Sequence, residues 1–268
     1  MVPENGTTQS VRRHLEGTMK LAEKNCPLDI LKNMAIMAAL LHDAGKLSQD
    51  FFEYMRDIQK YGEKVRPRLV DHTSAGGWIL EEIVGRKRLT ELIGTAVFSH
   101  HGLQDCVDME TGETLAESRR RKSIDFETIR GRYFEIVDRE VLIQYLKNAH
   151  KDVQSMTGAI SQWVNSKGQK CCGDGDFYMG MYERLLLSIL IDSDWTDTAC
   201  FCQGEEALER LSEEQTQRIW EESIEHFERY MENLTASGEK SPLNTYRNEI
   251  SDLCCQAAKE QRNLYRLT

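Results

Sequence analysis

The dipeptide His42-Asp43 joins two side chains that bind metal ions. A neutral imidazole offers one nitrogen lone pair, whereas a carboxylate offers two oxygens and can therefore bridge two cations. The pair follows an apolar run from Met34 to Leu41, which predicts a buried helix that ends at the pair. Gly45 lets the backbone come close to a neighbour, and Lys46 adds a cation beside the pair. This stretch predicts a metal site at the end of a buried helix.

Most of the histidines lie where predicted helices begin or end, next to Gly, Asp or another His. The chain has seven histidines, and the five in such positions are His14, His42, His72, His100 and His101. His150 and His226 lie in charged helices, and we assign them no role. Two adjacent imidazoles such as those of His100 and His101 repel each other when both are protonated, so a shared cation is a natural occupant.

A second apolar segment, from Tyr178 to Ile191, predicts a helix that delivers carboxylates where it ends. Asp192 and Asp194 follow it directly, in an arrangement that repeats the pattern of the apolar run before His42-Asp43. Either aspartate can serve as a ligand on the spacing alone.

The elements that position these residues are helices. Apolar residues recur at helical spacing through most of the chain, and no alternating pattern marks a β-sheet domain. We therefore predict an all-α fold, a helical bundle. Helix ends on one side of a bundle converge, as metal sites in helical bundles require.

Composition limits the function classes. The chain has 268 residues, 40% of them hydrophobic, which is enough for a packed core. No apolar run approaches the ~20 residues of a membrane helix, and the N-terminus has no signal-peptide pattern. Eight cysteines without a secretory signal predict reduced thiols and a cytoplasmic protein. A net charge of −10 argues against nucleic-acid binding over the whole surface, but it allows a nuclease whose metal ions meet the phosphate.

The motifs occur in a recognisable order: His, His-Asp-x-Gly-Lys, Asp-His-Thr-x-x-Gly, His-His-Gly and Ser-Asp-Trp. This order resembles the HD superfamily of metal-dependent phosphohydrolases. Within it, the chain looks like the HD nuclease domain of the CRISPR-associated helicase–nuclease of type I systems. The resemblance spans His14 to Thr198 in motif order.

The resemblance implies two divalent metal ions bound on a helical bundle. One ion would take His14, His42, Asp43 and Asp194, and the other would take Asp43, His72, His100 and His101. Asp43 would bridge the two ions, and Lys46 would act beside them. Asp194 aligns with the family better than Asp192, because Trp195 follows it. Thr73 and Thr198 stand at positions where Ser is common and are implied substrate contacts.

The implied reaction is phosphodiester hydrolysis of single-stranded DNA, the strand displaced when a type I CRISPR guide-RNA surveillance complex opens foreign DNA. Two cations stabilise the attacking and leaving oxygens of an in-line displacement. Five imidazoles and two carboxylates favour Mn, Fe, Co or Ni, although Mg is also possible. One alternative is an HD phosphohydrolase acting on nucleotides or cyclic nucleotides, and another is a non-catalytic docking domain. A closed nucleoside pocket would favour the first alternative, whereas an open groove would favour DNA.

The sequence also predicts a division into a nuclease domain over residues 1–235 and a linker with a helix over 236–268. The final residues, Leu264 to Thr268, predict the start of a strand. In the resembling family such a segment leads toward an ATP-dependent helicase domain, in the same chain or in a partner chain. A stand-alone nuclease subunit is the alternative.

Overall fold

The computed structural model describes residues 8–62, 70–102, 107–166, 173–204, 211–237 and 241–258. These residues form a 3₁₀ turn, Ala44–Leu47, and the following helices: α1 Val11–Asn25, α2 Asp29–Leu41, α3 Gln49–Tyr61, α4 Ser74–Val84, α5 Arg88–Ser99, α6 Leu115–Arg120, α7 Phe126–Ile136, α8 Arg139–Ser166, α9 Asp174–Gln203, α10 Glu213–Ser237 and α11 Pro242–Ala258. The only β-type pairing in the described ranges is an isolated bridge between Val107 and Thr114. The prediction of an all-α fold is confirmed.

The chain divides into two compact units, Met1–Ala207 and Leu208–Thr268. The first contains α1 to α9 and all the predicted ligands, and the second contains α10 and α11. The expected strand at Leu264 to Thr268 lies outside the described residues.

Helix α2 is the core of the first unit. Every residue from Met34 to Leu41 is buried, and α1, α8 and α9 pack around the helix. Burying an apolar side chain of this size stabilises the fold by roughly 1.5–3 kcal/mol. The apolar run predicted from the sequence thus carries His42-Asp43 into the middle of the unit.

Two glycines allow this buried helix end to be approached closely. A Cβ at Gly76, in α4, would overlap the carbonyl oxygen of Leu41. A Cβ at Gly45, in the 3₁₀ turn, would overlap the backbone of His72. The close approach expected at Gly45 is therefore present, and it brings the segment before α4 onto the turn after α2.

Helix α9 differs from the expectation. The predicted helix ended at Ile191, but α9 continues to Gln203 and is capped by Gly204 in a left-handed conformation. No proline or glycine interrupts the chain from Leu185 to Gln203, so nothing in it ends the helix earlier. Asp192 and Asp194 therefore lie within the helix and point to different faces. None of the described helices is long and apolar enough to cross a bilayer.

Candidate metal centre

All seven predicted ligands converge at one place, although they come from five separate parts of the first unit. His14 lies in α1, His42 caps α2, Asp43 precedes the 3₁₀ turn, and Asp194 lies in α9. The other three flank α4 and α5. Their ligand atoms form two groups, each with all its atoms within 4.8 Å of one another: His14, His42, Asp43 and Asp194, then Asp43, His72, His100 and His101. We call these the inner set and the outer set.

Asp43 belongs to both sets. Its Oδ2 atom lies 3.2 Å from Nε2 of His14 and 3.4 Å from Nε2 of His42, whereas Oδ1 lies 3.6 Å from Nε2 of His100. The ammonium of Lys46 also contacts Oδ2. The side chain is completely buried, and apart from the ion pair with Lys46 neither oxygen accepts a hydrogen bond in the described structure. A buried carboxylate without hydrogen bonds is costly unless cations surround it, so this environment suits an anion that holds metal ions.

Four histidines are oriented by hydrogen bonds from the nitrogen that faces away from the centre. Nδ1 donates to Ala39 O in His42, to Val70 O in His72 and to Val97 O in His100, at 2.8, 3.0 and 2.6 Å. The fourth is His14, whose Nδ1 donates to a carboxylate oxygen of Asp197 at 2.7 Å. A proton fixed on Nδ1 leaves the lone pair on Nε2, the atom that faces the centre, which is how metal-binding imidazoles are commonly arranged.

The inner set selects one of the two candidate aspartates. Asp194 is buried, and its Oδ1 lies 3.1 Å from Nε2 of His14 and 3.6 Å from Nε2 of His42. Asp192 is exposed and lines a separate surface groove beside Trp195. The geometry therefore agrees with the choice of Asp194 that the resemblance implied.

Asp197 was missed by the sequence reasoning. It lies one helical turn after Asp194 and accepts hydrogen bonds from His14 and from the Gln9 amide, each at 2.7 Å. The signal that could have found it is the spacing of three residues, which puts two carboxylates on the same face of a helix. It went unused because the helix was expected to end before them.

The two implied substrate contacts occupy different surroundings. Thr73 is buried beside His72, and its hydroxyl has no hydrogen-bond partner in the described structure. Thr198 is half-buried and lines a cavity together with His14 and Lys46. Thr73 is thus the neighbour in sequence of His72 in the outer set. Thr198 lies on the wall of the cavity that His14 of the inner set also lines.

The charges of the two sets differ. Burial lowers the pKa of His14, but the hydrogen bonds to Asp194 and Asp197, together with the nearby charge of Asp43, outweigh it and raise that pKa to about 11. Burial also opposes protonation of His42, yet the nearby carboxylates of Asp43 and Asp194 together outweigh it and raise the pKa of His42 to about 9. In the outer set, burial lowers the pKa of His72, and burial with the neighbouring imidazoles lowers that of His101 to about 4. His14 and His42 in the inner set therefore hold protons more strongly than His72 and His101 in the outer set.

The carboxylates remain ionised. Burial tends to raise the pKa of Asp43, but the charges of His42 and Lys46 keep it well below its ordinary value. Burial acts in the same direction on Asp194, and hydrogen bonds from His14 and His42 hold its pKa far below the usual range. The centre thus offers two permanent anions and five imidazoles.

The spacing of the nitrogens suits a cation. Imidazole ligands lie about 2.1 Å from a zinc-like ion, so two of them on one ion are separated by about 3.0–3.4 Å. Nε2 of His14 and Nε2 of His42 are 3.2 Å apart. Nε2 of His72 and Nε2 of His101 are 2.5 Å apart, closer than this range, and the ring of His101 is exposed. The clusters of His and Asp are therefore compatible with bound divalent metal.

A helical bundle with this arrangement of His and Asp defines a class, the HD-type metal-dependent phosphohydrolases. The family model for the HD domain of Cas3 matches residues 3–196, and the chain belongs to that family. The resemblance to the HD nuclease domain of type I CRISPR systems is thereby confirmed. The chain is a metal-dependent hydrolase of the CRISPR nuclease type, and its clusters of His and Asp are compatible with metal binding. No curated protein matches it.

Proposed function

We propose that this chain is a nuclease that cuts single-stranded DNA in type I CRISPR interference, with two divalent ions at the inner and outer sets. The observation that carries the proposal is the shared carboxylate. Asp43 faces one group of ligand atoms with Oδ2 and the other with Oδ1, and apart from its ion pair with Lys46 it is buried without a hydrogen bond. A carboxylate in that position suits two neighbouring cations better than one.

The side chains of the metal centre would have separate roles in hydrolysis. The inner set and the outer set would each hold one ion. The ions, when bound, would polarise the scissile phosphate and supply a water of lowered pKa. The ammonium of Lys46 contacts Asp43, and the side chain also lines the adjoining cavity, so it would neutralise a phosphate oxygen as charge develops on it. The buried imidazoles exclude bulk water from one side of the reacting groups.

The donor atoms support a transition metal. Five imidazole nitrogens are softer ligands than Ca or Mg prefers, so Mn, Fe, Co or Ni is favoured, with Mg a weaker candidate. We also propose a cytoplasmic setting and two partners, a helicase domain and the guide-RNA surveillance complex. With a net charge of −10, the chain gains from partners that bring the DNA to it. The division between residues 1–235 and 236–268 stays a prediction.

One observation favours a second candidate, hydrolysis of nucleotides or cyclic nucleotides. A cavity of about 450 Å³ adjoins His14 and Lys46. That volume falls within the ~300–1,000 Å³ of small-molecule sites. The same cavity also suits part of a DNA strand, so a comparison of hydrolysis rates on DNA and on nucleotides decides between the two candidates.

The test compares substrates with one metal-loaded protein. We expect Mn²⁺-loaded protein to cut single-stranded DNA and to leave relaxed duplex largely intact. Asp43→Ala should abolish cutting, and His150→Ala, an exposed histidine in α8 far from the ligands in sequence, is the matched control. Absence of cutting under every metal would refute the proposal, and faster hydrolysis of mononucleotides or cyclic nucleotides would favour the second candidate.

A further inference from the structure

Helix α3 is amphipathic, yet none of its side chains is buried in the core. Instead, one face of it lines the cavity beside the metal centre. The residues on that face are Phe51, Phe52, Met55, Arg56 and Gln59, which recur at helical spacing. Phe52 is 59% exposed. The apolar face of this helix is therefore available to something other than the protein core.

The cavity has two further walls. Thr198, Phe201 and Cys202 contribute one turn of α9, and residues 8–11 form the other side. His14 and Lys46 line the inner end, so the cavity is continuous with the inner set. Its contents would lie next to the ligands.

The aromatic rings are accompanied by cations. The ammonium of Lys46 lies 6.0 Å from the ring centroid of Phe51, and the guanidinium of Arg13 lies 5.7 Å from that of Phe201. Lys46 and Arg56 line the cavity itself, whereas Arg13 lies beside the Phe201 ring and outside the lining. Flat apolar rings with positive charges beside them match the two parts of a nucleotide, because bases stack on aromatic rings and phosphates pair with cations.

We propose that this cavity binds one unpaired nucleobase of the substrate strand, stacked against Phe52, with the adjoining phosphate directed toward Lys46. The inference rests on the proposed nuclease function and names the part of the site that selects the strand. A base in a duplex is paired and stacked on both faces, and taking it out costs a few kcal/mol. A base in a single strand is free to enter. The cavity would therefore favour single strands before any chemistry begins.

The first experiment measures cleavage kinetics of Mn²⁺-loaded protein on single-stranded oligothymidine. Phe52→Ala should raise KM by about tenfold, the size of one lost base–aromatic stack, with little change in kcat. Phe52→Trp restores a stacking surface and should return KM to near the wild-type value. Phe177→Ala, which removes a ring that is 65% exposed and lies outside the cavity, is the matched control. Because α3 has no buried side chain, the two Phe52 variants should fold normally. Circular dichroism checks the folding of all the variants.

The second experiment removes the base instead of the ring. An oligonucleotide with one abasic site should be cut poorly by the wild-type protein at a phosphate a fixed distance from that site. In Phe52→Ala this local drop in cleavage, the dip, should disappear, because the ring on which the base stacks is gone. If the wild-type protein cuts single strands but Phe52→Ala and Phe177→Ala behave alike and no dip is seen, this inference is wrong and the proposed function stands. If the wild-type protein does not cut single strands, both fail.

Discussion

Metal binding at the inner set must displace protons, and the number can be worked out from the hydrogen bonds. His42 Nδ1 donates to a backbone carbonyl and His14 Nδ1 donates to an ionised carboxylate, so both Nδ1 atoms carry protons. Without a metal ion, the contact of 3.2 Å between their Nε2 atoms is favourable only when one more proton lies between them. At least one of the two rings is therefore an imidazolium, in agreement with pKa values raised to about 11 and about 9.

The raised pKa values of His14 and His42 determine whether metal affinity rises or falls with pH. A raised pKa keeps a ring protonated over a wider pH range, and a metal ion needs the lone pair that the proton occupies. Affinity at the inner set should therefore rise with pH by about tenfold per pH unit for each displaced proton, or about 100-fold or more between pH 6.5 and 8.5. The outer set should show no such rise, because the pKa values of His72 and His101 are lowered.

The assay is calorimetric titration with Mn²⁺ in buffers that differ in ionisation enthalpy, which yields the number of protons released. His72→Ala confines binding to the inner set, and His14→Ala confines it to the outer set. We expect at least one proton from the first variant at pH 7.5 and close to none from the second. Equal proton release from both variants, or an affinity that is flat above pH 7.5 for the inner set, would refute the reasoning.

Three further predictions concern single residues. Asp43→Asn keeps the shape of the side chain but removes the carboxylate common to both sets. Metal analysis should find both ions lost, and DNA cleavage should fall at least about 10²-fold. Near-normal cleavage would show that Asp43 is not a ligand. Asp197→Ala removes the partner that orients His14 and should weaken Mn²⁺ binding about 10- to 100-fold, while Asp192→Ala on the exposed face of α9 should leave it unchanged; equal effects would contradict the assigned role. Gly45→Ala forces a methyl group against the backbone of His72. It should lower the melting temperature by about 2–10 °C and also lower the metal content. A variant with unchanged melting and full metal content would argue against the close approach of the two segments.

The sequence was sufficient to predict the bundle, because helical spacing is a local pattern, whereas the two ligand sets were implied by the resemblance to the HD family. The apolar run before His42-Asp43 had to be buried, and the dipeptide had to lie where that run ends. The small residue at Gly45 signalled a close approach, although the sequence could not say that His72 would be the neighbour. That pairing depends on how α4 packs against α2, which no local pattern encodes.

The region around Asp194 shows where prediction from the sequence failed. Polar residues after Ile191 suggested the end of a helix, yet α9 continues for twelve more residues, to Gln203. Its ends are set by packing and by Gly204, and not by the change from apolar to polar residues. Once the helix is known to continue, its phase separates Asp192 from Asp194 and pairs Asp194 with Asp197. The missing information was the length of one element.

The inner and outer sets also differ in how open they are to solvent. All four inner ligands are buried, whereas His101 in the outer set is exposed. An ion in the outer set could leave by displacing one exposed ring, but an ion in the inner set would have to be released by four buried side chains before it reached the cavity. Exchange should therefore be fast at one position and slow at the other, so that dialysis removes one ion per chain and retains the second. The free metal concentration around the protein would then control how much of it is fully loaded at any moment.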